Sequence, residues 1–182
     1  MLQHLEKPIN KPMKSSINII IGLFVLFGCN QHKEIQKSKE FSDKVLEFVL
    51  TENEIGQEYF FKKILKNEVL EYVVTYLGVI KTKDGDSLRF VNSTIYSGLY
   101  EDSKRANSRL FIYNAEREKL GYYYVGGALY KPIEIINDSI FFPLHDASCN
   151  QTTAICFRDS IPKEIFINCS VKGGDLYSFE KE

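Results

Sequence analysis

Tyr72-Val73-Val74-Thr75-Tyr76-Leu77-Gly78-Val79-Ile80, then Asp84-Gly85, then the run Ser87 to Ile95: this stretch decides the fold. β-Branched and aromatic residues dominate both runs, and such side chains fit a pleated, half-buried surface. Asp-Gly between them is a favoured pair for a tight hairpin turn, because that turn needs positive φ. The stretch therefore reads as two antiparallel strands.

The pattern repeats toward the C-terminus. Ser108 to Tyr113 and Leu120 to Val125 form a second hairpin around Ala115 to Lys119, and Gly126-Gly127 end it. Ile133 to Ile136, Asn137-Asp138 and Ser139 to Phe142 read as a third. Ala154 to Arg158 and Glu164 to Cys169 read as a fourth, around Ser160-Ile161-Pro162, and Leu176 to Phe179 as a last strand. Short strands at close spacing with turn residues between them predict a mostly antiparallel sheet, not βαβ units. Toward the N-terminus the period changes. Phe41, Val45, Phe48 and Val49 recur at helical spacing, with Leu46 and Leu50 beside them. Thr51-x-x-Glu54 fits a capping box for a second helix, with Ile55, Tyr59, Phe60, Ile64 and Leu65 as its apolar face. The predicted class is α+β: one or two N-terminal helices, then a mostly antiparallel β-sheet built of hairpins. At 182 residues there is room for one such domain.

The first 29 residues follow a different logic. Lys7, Lys11 and Lys14 precede an apolar run from Ile19 to Phe27, broken only by Gly22 and followed by Gly28 and Cys29. A positive flank and a short apolar run make a signal peptide, too short to span a bilayer as a mature helix. Leu26-Phe27-Gly28-Cys29 resembles the lipobox of bacterial lipoproteins, with an aliphatic residue at −3, a small residue at −1 and the lipid-accepting cysteine. Phe27 is bulkier than the usual residue at −2. The resemblance implies cleavage before Cys29 and acyl chains, palmitate among them, on that residue. Translation from Met13 would make the signal more compact. The expected organisation is a signal peptide over 1–28, a lipidated Cys29 with a polar tether over 29–40, and one domain over 41–182. Asn30 is not the Asp that retains enteric lipoproteins on the inner membrane, which favours the outer membrane. Acyl chains make the membrane the one partner that can be named.

The mature segment is similar to a group of small envelope lipoproteins that carry Gly-Tyr-Tyr-Tyr-Val, Ile-Pro-Lys-Glu-Ile-Phe-Ile-x-Cys and Gly-Asp-x-Tyr-Ser-Phe. Here these are Gly121 to Val125, Ile161 to Cys169 and Gly174 to Phe179. The likeness agrees with the β-rich reading and implies no activity.

Composition excludes some classes. Charged residues are 26% and the net charge is −1, without a basic stripe, so nothing argues for nucleic-acid binding. His145, Cys149, Cys156 and Cys169 could hold zinc, but the spacing has no C-x₂-C pair and an exported chain meets oxidising conditions. No metal and no cofactor is expected. Nothing marks a helix N-terminus that would lower a thiol pKa beside His145. Ser160-Ile161-Pro162-Lys163 matches the Ser-x-x-Lys pattern of penicillin-recognising enzymes, but Pro162 lies between strand runs and not on a helix. Lys83-Asp84-Gly85-Asp86 lacks the ligand ladder of a calcium loop and reads as a turn. For the cysteines, placing Ile155 opposite Ile167 puts Cys156 and Cys169 on opposite sheet faces. The expected bridge is Cys149–Cys169 with Cys156 free; Cys149–Cys156 is the alternative. Tyr122, Tyr124 and Tyr130 make a candidate binding surface, since Tyr122 and Tyr124 share one face of a strand. Such tyrosines more often serve as amphipathic covers of the core than as a binding surface. The expected function is a non-catalytic envelope module that binds or shields, with an immunity or inhibitor protein as one concrete form. The rivals are a hydrolase around His145 and Asp146, and a structural subunit of an envelope complex.

Overall fold

The computed structural model describes residues 39–66, 68–98, 100, 103–127, 131–145, 149–170 and 173–181. The signal segment and Cys29 lie outside them, as do Tyr130 and Asp146. Residues 43–182 form one compact unit.

Helix α1 covers 39–52, so residues 39 and 40 are helical and not the end of a tether. Val45, Leu46, Val49 and Leu50 are buried, as the helical period requires. The expected second helix does not form. Thr51 Oγ1 instead donates back to the Glu47 carbonyl at 2.8 Å. Asn53 takes a left-handed φ of 56° and its N–H donates to the Val49 carbonyl at 3.0 Å, which closes α1. Thr51 and Glu54 thus stand at a helix end, not a helix start. The residues that follow are strand β1, Glu58–Ile64.

Nine more strands follow: β2 Val69–Lys81, β3 Ser87–Gly98, β4 Arg105–Tyr113, β5 Lys119–Tyr124, β6 Glu134–Ile136, β7 Ser139–His145, β8 Asn150–Cys156, β9 Glu164–Ser170 and β10 Gly173–Lys181. They make a seven-stranded sheet in the order β1-β2-β3-β4-β5-β10-β9 and a three-stranded sheet β6-β7-β8. Every ladder between them is antiparallel. The first three expected hairpins form. In the third, Asn137 and Asp138 both take positive φ, 47° and 61°, as a primed two-residue turn demands.

The fourth hairpin is a correction. β8 pairs with β7 and β9 with β10, so the expected opposition of Ile155 and Ile167 does not occur. Ile155 lies opposite Ile140, and Ile167 opposite Asp175. β7 runs past Phe142 through Pro143, which pairs with Thr152. The β6 ladder reaches only to Phe141, so Pro143 has a strand on one side alone and its missing N–H breaks no ladder there.

Residues paired directly across antiparallel strands share a face. Phe90–Ile112 and Leu110–Tyr123–Phe179 define one face of the large sheet. Its side chains form a single core with Ile140, Phe142 and Leu144 of β7 and with Phe157, Ile165 and Ile167. The other face carries Tyr59–Val74 and Phe61–Tyr72, and α1 lies on it: Phe48 meets Tyr59 edge-on at 5.6 Å and Phe61 at 5.7 Å. The layers are therefore helix, large sheet, small sheet. Gly78 lets β2 serve both sides. It takes φ 125°, and the bulge between Tyr76 and Gly78 brings Leu77 and Ile80 into the same core.

Candidate binding surface on the helix side of the sheet

α1 covers only part of its face. Its Asp43 reaches Lys119 at the start of β5, 3.2 Å away, and the rest of β5, with β10 and β9, continues the face. On β5 the strand alternation turns Tyr123 into the core and Tyr122 and Tyr124 to the helix side. Tyr123 is fully buried, with its ring 5.2 Å from Phe179, and its hydroxyl donates to the Pro162 carbonyl. Burial holds that hydroxyl well above the usual tyrosine range.

Tyr122 is held from three sides. Its hydroxyl donates to Glu180 Oε2 at 2.5 Å, the guanidinium of Arg109 stands 5.1 Å from its ring centroid, and Phe111 packs at 5.5 Å. Tyr124, opposite Arg109, is 42% exposed. The outward residues of β10 and β9 continue the row. Leu176 is 59% exposed and lies directly across from Phe166, 45% exposed. Glu180 and Glu164 lie on the same face. Arg109 Nε and Asn107 Oδ1, two residues apart on β4, are buried without a hydrogen-bond partner among the described residues.

The geometry is an aromatic and aliphatic strip with charged groups around it. Tyrosine and arginine, with tryptophan, are enriched among the side chains that anchor protein contacts. Tyr122 and Tyr124 are brought together; Tyr130 lies outside the described residues. Arg109, Phe166, Leu176 and Glu180 were not singled out from the sequence. The alternation in Asp175-Leu176-Tyr177-Ser178-Phe179 was a usable signal for which residues point outward, but not for what stands beside them.

The cysteine–histidine group takes a different form. Cys149 and Cys169 are disulfide-bonded with Cα atoms 4.6 Å apart, and Cys156 is an exposed free thiol. Bonded sulfurs cannot serve as thiolate ligands. His145 ends β7 in backbone terms, and its side chain lies outside what is described. Comparison of the chain with protein-family models, with curated protein sequences and with solved structures finds no match in any of the three.

Proposed function

We propose that this chain is a membrane-anchored lipoprotein of the cell envelope, cleaved before Cys29, whose folded part binds or shields a protein partner without turnover. An immunity or inhibitor role fits this form. One observation carries the binding half of the reading: Tyr124, Leu176 and Phe166 stand exposed on one sheet face beside the ordered Arg109–Tyr122–Glu180 group. Exposed large apolar side chains gathered on one face, rimmed by charge, mark interaction sites. The anchor half rests on the lipobox resemblance. A disulfide between Cys149 and Cys169 also suits an oxidising compartment. Asn30 favours the outer membrane over the inner.

The binding surface is tested with a photo-crosslinking amino acid in the native host. Placed at Tyr124 it should trap one partner of discrete mass; at Ile136, equally exposed on the other sheet, it should trap none. No adduct from Tyr124 overturns the reading. The anchor is tested by acyl labelling. Cys29→Ser should lose both the label and membrane partitioning, and an unlabelled, soluble wild type would overturn lipidation.

A further inference from the structure

β1 is an edge. Among the described residues it pairs with β2 on one side and with no strand on the other. Edge strands that stay monomeric are usually blunted by charged side chains, by proline, by a bulge or by a cover, and the outward charges of β1, Glu58 and Lys62, are of opposite sign. β1 has neither proline nor bulge, and its outward side chains include Phe60, 72% exposed, and Ile64, 77% exposed.

The backbone phase of this edge follows from its turn. The Leu65 N–H donates to the Glu68 carbonyl at 2.8 Å, so Leu65 faces β2. Hydrogen-bonding direction alternates along a strand. Lys63, Phe61 and Tyr59 therefore also turn their backbone groups toward β2. Glu58, Phe60, Lys62 and Ile64 turn theirs to the free edge, and their side chains share one face.

We propose that a second copy of this chain pairs with this edge, antiparallel and two-fold symmetric, with Phe60 opposite Phe60 of the partner subunit. The register is chosen by charge. A ladder must pair members of the outward set with one another, and a two-fold axis at Phe60 sets Glu58 opposite Lys62 twice. It also sets Tyr59 opposite Phe61 twice. Moving the axis to Phe61 puts Phe60 opposite Lys62; moving it to Lys62 puts two lysines face to face. Only the Phe60 axis satisfies both charges, which is the self-complementarity an isologous contact needs. Glu58 and Lys62 keep the means to do this: their side chains are 41% and 52% exposed beside their partners within the chain, Lys131 and Glu71. Gly56, which would meet Ile64 of the second copy, has open space around its Cβ position.

The test is the mass of the full chain in mild detergent, by light scattering. The wild type should be a dimer. Glu58→Lys and Lys62→Glu should each shift it to monomer, and the double exchange should restore the dimer. Within one chain the double exchange sets Lys131 and Glu71 each beside a like charge, at positions 58 and 62, so recovery cannot come from internal pairs. In a Cys156→Ser background, Phe60→Cys should oxidise to a symmetric dimer, because directly hydrogen-bonded pairs bring Cα atoms to about 5.5 Å. Ile64→Cys, as exposed but carried far from its mate, should not. A monomeric wild type, single exchanges without effect, a double exchange that stays monomeric, or equal cross-linking at the two positions overturns the proposal. Adducts of Phe60→Cys with a different protein also overturn it.

Discussion

The Cys149–Cys169 disulfide joins the two sheets: Cys149 immediately precedes β8 of the small sheet, and Cys169 lies in β9 at the edge of the large one. The N–H of Asn168 donates to Thr153 Oγ1 at 2.8 Å, a second tie between the same two strands. β8 and β9 thus run close without forming a ladder. The bonded pair is the one expected from the sequence, although the hairpin it was argued from does not exist.

Reduction should therefore loosen the small sheet first. The bridge closes a loop of 20 residues. Cys149→Ala with Cys169→Ala should cost about 3 kcal/mol in the chain-entropy account. Urea unfolding checks the figure. In the folded protein a thiol reagent should label Cys156 and neither Cys149 nor Cys169; rapid labelling of Cys149 would contradict the bridge.

Tyr123→Phe should cost about 1 kcal/mol, since it removes one buried hydrogen bond and leaves the Pro162 carbonyl without that donor. The ring and its packing on Phe179 and Phe157 stay. Thermal unfolding is sufficient. A loss above about 3 kcal/mol would mean that the hydroxyl does more than hold the segment before β9.

Gly121→Ala should be among the most damaging small changes. Gly121 has φ 153°, and a Cβ there would lie 2.2 Å from the Glu180 carbonyl oxygen and 2.6 Å from the Phe179 ring. β10 approaches β5 at this point, so the substitution should release the strand. Hydrogen exchange should show lost protection over 173–181, with a stability loss of about 3 kcal/mol or more. Retained protection would show that the strands can separate slightly without cost.

Glu71 sets an acid limit. Its carboxylate accepts from Lys104 at 2.8 Å and faces Lys62 at 3.4 Å. The Lys104 hydrogen bond is the main cause that holds its pKa below the ordinary value of 4.5, with Lys62 adding to it. A lowered folded pKa gives stability that is complete above the ordinary value and is lost as pH falls through the lowered one. Glu71→Gln should therefore unfold earlier in urea than the wild type at pH 7. The gap should close as pH falls below 4.5 and on through the lowered value. A gap that persists in strong acid would assign the effect to packing and not to charge.

Much of the fold was legible in local chemistry. Alternating β-branched and aromatic residues marked β2 and β3, and Asn137-Asp138 marked the β6–β7 turn. The 3.6-residue period marked α1. Each of these depends on bonds between residues close in the chain, so the residues themselves carry the information. The second helix failed for a local reason as well. Tyr59-Phe60-Phe61 suits a strand as readily as a helix, and Asn53 at positive φ closed α1 where a new helix was expected to begin. The face shared by Tyr122 and Tyr124 was also legible, because alternation along one strand requires it.

Strand partnership beyond the first three hairpins was not legible. β8 could join β7 or β9 by backbone chemistry alone, since each strand offers the same N–H and C=O groups. The choice came from burial: pairing with β7 places Ile155 against Ile140 and closes the small sheet over Phe90 and Leu110. β10 likewise left β9 at the edge and inserted beside β5, where Gly121 leaves room for its backbone. That placement set Phe166 and Leu176 on the same surface as Tyr122 and Tyr124. The candidate site is therefore a product of packing between segments some 40 to 60 residues apart, which no local pattern encodes.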